Sequence, residues 1–542
     1  MKRLHTMKRL HTRRLAVLVS FAATVVAASA LLAGSAAART GSAPTLVIDN
    51  SFTIKTSDPG RAFDPTASMI DRAIYDTLFT YKGGDLAVPI PLLVSSWKAN
   101  ANAETFTFQL KKDVHFADGT PLTSADVVWS LRRLVNLAGN PAFLLAGISI
   151  SAPGKYTVVM HSKTPDTELP VILANPSTGI LNSALVMAHG GSDAANAAKT
   201  DTAENWLNSS ASVGAGSGPY TLSSYSVTSQ ITLVPSTNYW GAVKPSFSSV
   251  VVRNMIAPTQ LLNVARDSHE IAIDLSADQA ETLKNNKNVN VSLQPSTWIF
   301  FLMVNDNPKV STVTSNQDFQ MAMRYAIDYS SLVSLAGQGA IQAPGLIPSM
   351  FLGALPQSAD IKEDLTKAKA ALAASGDASQ KLTMQYPDDL TINGVPFTSL
   401  AQKLQSNLQA AGFNITLSGS PTTTWLNVYR SGKMALGLSL WGPDYPDPAD
   451  YLVFTPGNLV GLRAGWPKGS DPAIEKLATK ALVTTAPAAR KSVYQQIQRL
   501  LNQSGPYFPL IQPTQVFVST KDLKGAVYNA EYDTNITQIS PA

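Results

Sequence analysis

Between residues 382 and 440, apolar and amphipathic segments follow one another in an order that constrains this chain more than any other feature. Residues 382–386 read as a strand, 399–412 as a helix closed by Gly412, 414–417 as a strand, 424–430 as a short helix and 434–440 as a third strand. Strands alternating with helices belong to a parallel sheet covered by helices, and such sheets bind ligands where their strands end. The third strand runs into residues 438–451, LSLWGPDYPDPADY, with one indole, three prolines and three carboxylates. Pro443, Pro446 and Pro448 fix the backbone in advance. Asp444 then becomes a rigidly presented negative charge beside an aromatic wall, suited to a cationic group such as an α-ammonium. The same residues equally suit a solvated turn in which Asp444 and Asp447 cap the next stretch of chain.

At 542 residues the chain exceeds one ordinary core and implies two or three domains. Its first residues read as a secretory leader: basic Lys8, Arg9, Arg13 and Arg14, then 24 residues (15–38) without a charge, ending in Ala36-Ala37-Ala38. The mature start is expected near Arg39, and the repeated MKRLHT makes Met7 a second candidate initiator. An uncleaved anchor is the other reading of this run, disfavoured by its small-residue end. Six of the 42 Lys and Arg lie in the leader and none of the 37 Asp and Glu, leaving 36 against 37, a net of −1. The overall charge of +5 therefore gives no reason to expect a nucleic acid or an anionic membrane as partner. With no cysteine there can be no disulfide, thiolate metal site, cysteine nucleophile or lipidated N-terminal cysteine, so a free periplasmic or secreted protein is expected.

Catalysis finds little support. No G-x-S-x-G, H-E-x-x-H or Walker motif is present, and His115, His161, His189 and His269 are scattered. The expectation is a protein that is not an enzyme and has neither cofactor nor metal site. Residues 45–53 read as a strand and 56–65, TSDPGRAFDP, as a loop. In 96–134, Phe106 and Phe108 alternate with polar residues, Asp118-Gly119 signals a turn, and Ser124 is the expected N-cap of a helix with Val127, Val128, Leu131 and Leu134 on one face. Residues 298–305, WIFFLMVN, form an apolar run, and Pro487 opens a last long helix.

The 438–451 stretch resembles the Trp-x-x-Asp-x-x-Asp/Glu-Pro motif of the family 5 extracellular solute-binding proteins, the peptide-binding components of ABC importers. Further resemblances are SWKANANAETFTFQLKKDVHFADGTPLTSADVVWSLRRL at 96–134, Gly216 to Tyr220 with Asn238-Tyr239-Trp240-Gly241, and FQMAMRYAIDYS at 319–330 with Arg324 displaced. Residues 74–81 resemble a helix after the first loop, 298–305 a strand crossing between lobes and 506–518 its return, so that the likeness covers nearly all of 45–525.

The resemblance implies an α/β, bilobed periplasmic binding protein-like fold (type II, cluster C) with an extra inserted subdomain. Its expected divisions are a signal peptide at 1–38, lobe I from 44–80, 210–297 and 512–542, an inserted subdomain at 81–209, and lobe II at 298–511. It implies that Asp444 pairs with a ligand ammonium and that Trp441 and Trp425 line side-chain pockets. Backbone from Ser439 to Gly442, and from Ser57 and Asp58 to Gly60, would pair with ligand main chain, with Gln512 on the return crossing also at the site. The expected partners are a peptide or other small solute and the membrane subunits of an ABC permease, the protein itself being a monomer. Dipeptide-binding members carry an arginine for the ligand carboxylate just before the helix at Ser399, whereas residues 391–395 contain no cation. Longer peptides are therefore expected, or else a non-peptide solute such as a nickel chelate, an opine or an oligosaccharide.

Overall fold

The computed structural model describes residues 43–542, and the leader lies outside the described residues. Ile299–Val304 shows most directly how the sequence builds the fold. All six residues are buried, because the strand lies inside a six-stranded sheet between Leu436–Trp441 and Tyr507–Gln512, antiparallel to both. With side chains alternating across the sheet, Ile299, Phe301 and Met303 enter one core, and Phe300, Leu302 and Val304 enter another. A strand covered on both faces reads as an unbroken apolar run rather than an alternation. Lys381–Pro387 joins the same sheet parallel to both Asn414–Ser420 and Leu436–Trp441, as the strand–helix alternation predicts.

A second sheet has seven strands. Thr45–Asn50 is flanked in parallel by Ser249–Asn254 and Glu270–Ala272. Thr514–Thr520 lies between Glu270–Ala272 and Val289–Pro295, antiparallel to each. The chain thus passes between the two sheets twice, once from Val289–Pro295 to Ile299–Val304 and once from Tyr507–Gln512 to Thr514–Thr520. The passages are tied together: Ser296 N–H donates to the Pro513 carbonyl at 2.8 Å, and Gln512 Nε2 donates to the Ser296 carbonyl at 2.5 Å. A third, four-stranded antiparallel sheet is built from residues 94–161, with Phe106 and Phe108 buried in it as their alternation predicts.

Three local expectations are corrected. The first helix is Pro65–Ile74, not 74–81; Asp64 caps it by accepting from Ala67 N at 3.0 Å, and Phe79–Lys82 is a strand. The N-cap of Ser124–Asn136 is Thr123, whose capping-box partner is Asp126, so Ser124 is the first helical residue. Residues 319–330 are two helices, Gln317–Ala326 and Tyr329–Ala336, because Asp328 leaves helical geometry and caps the second through Ser331 N. Among the described residues no helix is long and apolar enough to cross a membrane.

Candidate functional site

Strand Leu436–Trp441 ends in the proline-rich loop, and its three carboxylates have different surroundings. Asp447 forms a buried fork with Arg490, at 2.8 and 2.5 Å, and caps the 3-10 turn Pro448–Phe454 through Ala449 N. Asp450 accepts from the Trp441 indole N–H and from Asp444 N, both at 3.2 Å. Asp444 is partly buried, and its carboxylate accepts no hydrogen bond among the described residues. Two of the three acids therefore hold the loop, and the third is presented by it. Burial lifts the Asp444 carboxyl to about 6.

Gly442 stands where the loop passes the first crossing. A Cβ there would lie 2.6–2.8 Å from ring atoms of Trp298. Gly442→Ala is expected to displace that ring at a cost of about 1–3 kcal/mol. A lowered melting temperature in a thermal scan checks this, and an unchanged one would contradict the packing described.

Asp444 and Gly442 line a cleft of about 770 Å³ whose walls come from distant segments. The side of the six-stranded sheet contributes 442–444 and 391–394, the side of the seven-stranded sheet Asn50, Asp64 and Asp274, the crossing Thr297 and Trp298, and the C-terminal region 528–533. Asn393-Gly394 is the two-residue tip of a hairpin pairing Thr391–Ile392 with Val395–Pro396, and both tip residues have positive φ (+50° and +77°), as an Asn-Gly turn permits. Asn393 Nδ2 reaches across to Gln515 Oε1 at 2.9 Å.

Among the described residues five carboxylates (Asp64, Asp274, Asp444, Glu531 and Asp533) line this cleft, and no Lys, Arg or His does. Asp274 accepts from Ser51 N at 2.6 Å and Gln260 Nε2 at 2.9 Å, yet burial still raises its carboxyl. Burial, then the charges of Asp274 and Asp64, pushes Asp533 up to about 7. Burial holds Glu531 well above the usual carboxylate range. Acids raised in this way bind more protons folded than unfolded, so the stability they contribute falls as pH rises from ~4 through the folded values. Carboxylates lowered by partners, such as Asp201 with Arg133, titrate below that interval. The empty protein is therefore expected to melt at a higher temperature at ~pH 5 than at ~pH 8. Affinity for a cation should move oppositely, because a protonated carboxyl has lost the attracting charge. The groups facing Asp444 are Asp450 and Tyr451, and those facing Asp533 are Asp274, Asp64 and Tyr528; Lys55 faces Asp64, yet burial still raises that carboxyl. Thermal scans and titrations at the two pH values check both signs.

Of the nine residues expected at the site, the cleft takes Asp444 and Gly442. Ser57, Asp58 and Gly60 are elsewhere. Their backbone N–H groups already donate to Asn208 Oδ1, Thr56 Oγ1 and Asp58 Oδ1, and the Asp58 carboxylate forms a buried bidentate pair with Arg133 at 2.7 and 2.6 Å. Trp425 is a core residue, stacked on Tyr429 at 5.2 Å along the buried face of Thr422–Arg430. Trp441 braces the loop through Asp450 and lies edge-on to Phe454 at 5.4 Å. Ser439 is fully buried, and Gln512 ties the crossings together. The ladder between Lys381–Pro387 and Leu436–Trp441 runs only to Gly437. The sequence places Asp64 only within the 56–65 loop, and Asp274, Glu531 and Asp533 carry no local motif. The Asn393-Gly394 tip did have a signal, since Asn-Gly between short apolar runs marks a hairpin. Among the described residues no group of three or more His, Asp or Glu is placed to hold a metal ion.

Two sheets linked by two passages, with a cleft lined from both, define the architecture of a bilobed solute-binding protein. The family described as bacterial extracellular solute-binding proteins, family 5, matches residues 88–458, and this chain belongs to it. It is 30% identical over 500 residues, 89% of this chain and 91% of the relative, to the probable D,D-dipeptide-binding periplasmic protein DdpA of Escherichia coli (strain K12). Its fold matches HbpA2 from Haemophilus parasuis with a TM-score of 0.78 at 19% identity, covering 92% of this chain and all of that one (100%). It also matches the periplasmic binding protein DppA from Helicobacter pylori in complex with the peptide STSA, with a TM-score of 0.71 at 20% identity, over 92% and 98% of the two chains.

Proposed function

We propose that this protein is the extracytoplasmic solute-binding component of an ABC importer, capturing peptides in the cleft by their α-ammonium group and delivering them to the permease. The observation that carries the reading is Asp444: among the described residues a partly buried carboxylate that accepts no hydrogen bond, held by a proline-fixed loop at a strand end, in a cleft lined by no Lys, Arg or His. An ammonium placed there would meet a preorganised charge at little cost in ordering. The 391–394 segment, where the family resemblance would place an arginine in a dipeptide binder, supplies a hairpin tip without a cation instead, so a peptide carboxylate must find its partner outside the cavity or be absent. This favours oligopeptides over free dipeptides. The segments grouped around the seven-stranded and six-stranded sheets act as lobes, and Ser296–Pro513 and Gln512–Ser296 lie at their hinge. Ligand touching both sides selects the closed arrangement that the permease recognises. The protein works as a monomer, exported by its leader to the periplasm, and needs no covalent chemistry.

Native mass spectrometry of the protein as purified from its host, with fragmentation of whatever is released, tests this directly. A heterogeneous set of short peptides is the expected result. A single nickel chelate, opine or sugar would overturn the peptide assignment and leave the family unchanged.

A further inference from the structure

The acids of the cleft divide between its sides, and those opposite the proline-rich loop are built as carefully as Asp444. Asp533 begins the short strand Asp533–Thr534, paired with Tyr528–Asn529. Its φ is +54°, a left-handed conformation that strains a non-glycine residue. Its carboxylate accepts no hydrogen bond among the described residues and faces Asp274 and Asp64 rather than any cation. Glu531, two residues before it, is nine-tenths buried (9% exposed) and lines the cleft. One side of its carboxyl engages Asn175, but Oε1 has no partner. An orphaned buried acceptor costs free energy until a donor meets it. The carboxylates are not clustered for an inorganic ion, which would demand several oxygens converging on one point. The missing donors are those of an organic cation.

We infer that Glu531 and Asp533 form a second cation subsite across the cleft from Asp444, and that the solute is an organic dication: a peptide carrying a lysine-type amine besides its α-ammonium, with no carboxylate inside the cavity. The inference rests on reading this cleft as the solute site. It narrows the substrate class from peptides in general to basic ones, because carboxylates stand at each end of the cavity and neither end is lined by a Lys, Arg or His among the described residues. Neutral and acidic peptides would leave Glu531 Oε1 unsatisfied and would place any carboxylate among five others.

Isothermal titration of the ligand-free protein with alanyl-lysine amide and alanyl-norleucine amide isolates the second charge, since the two side chains share their carbon chain and differ by one ammonium. The lysine amide is expected to bind about tenfold or more tightly than the norleucine amide, within the range found for desolvated charge pairs. Glu531→Gln with Asp533→Asn should reduce that preference to about twofold or less, asparagine being chosen because it tolerates positive φ. Glu531→Gln alone, a near-isosteric change, should lower it part of the way and guards against a double variant that folds poorly. Equal affinity for the two amides would overturn the second subsite and leave the peptide reading in place. Binding of 1,5-diaminopentane, weakened by the double variant, without binding of either amide would uphold the subsite and overturn the peptide reading. No binding of any of the three would overturn both.

Discussion

Asp444→Asn is expected to weaken binding of amine-bearing solutes by about 2–5 kcal/mol, some thirtyfold to several thousandfold in Kd, while leaving the empty protein as stable as before or more so. Both halves come from one observation. The carboxylate accepts no hydrogen bond among the described residues, so replacing it breaks none there, and burial already disfavours its charge, as its rise to about 6 shows. An asparagine of the same shape removes that penalty together with the attraction for an ammonium. Asp447, three residues on, should behave in the opposite way: Asp447→Asn breaks the fork with Arg490 and the cap of the following turn, so the fold itself weakens. Titration calorimetry with a lysine-containing peptide amide, paired with thermal scans of the empty proteins, separates the two. An Asp444→Asn protein that binds as tightly as the parent would show that the ammonium is held elsewhere.

Arg133→Ala should be among the most destabilising substitutions in the chain, by about 3–5 kcal/mol, because it strands buried charge. The Arg133 side chain is fully buried and bonded by Nε to Asp201 at 2.7 Å and by its two terminal nitrogens to Asp58 at 2.7 and 2.6 Å. Neither carboxylate has any exposure of its own. Arg61 reaches the same two acids, at 3.3 and 3.1 Å, from a position 23% exposed, so it compensates only in part, and Arg61→Ala should cost much less. The effect bears on the cleft as well, since the loop secured by Asp58 leads to Asp64 in the cleft wall. Urea denaturation of the two single variants and the double variant checks the order. The losses should not add, because both arginines serve one network. If Arg133→Ala unfolded at the same urea concentration as Arg61→Ala, the network would not carry the weight assigned to it.

Much of the fold was legible because the relevant signals are local and periodic. The apolar run at 298–305 announced a strand covered on both faces, and the alternation from 382 to 440 announced a parallel sheet whose last strand ends at the site. Asp444 was legible for a related reason: prolines fix its loop from within. Trp425 shows where family likeness outran physics. It lies four residues before Tyr429 on a helix, the spacing of a buried face, and it stacks there instead of reaching the cleft. Of the acids opposite Asp444, Asp64 lies in the 56–65 loop just before Pro65, and the other three had no signal at all. Asp64, Asp274, Glu531 and Asp533 come from three widely separated parts of the chain and meet only because it passes between the sheets twice, and no reading of neighbours reveals such a meeting. The short interval 528–534, which positions two of them, depends on a left-handed aspartate that residue preferences argue against.

The place of Thr514–Thr520 within the seven-stranded sheet sets the order in which the molecule can be made. It is the shared partner of Val289–Pro295 and Glu270–Ala272, so a ribosome must pass residue 520 before those strands can be joined. A nascent chain shorter than that holds a sheet with an open seam, its apolar edges available to chaperones or to other chains. Closing the seam brings together residues more than two hundred positions apart, a slow step for any polypeptide. Truncation by even thirty residues at the C-terminus removes this strand and everything beyond it, and with them both carboxyls of the 528–533 segment. A stop codon just before residue 514 is thus as damaging as one near residue 270.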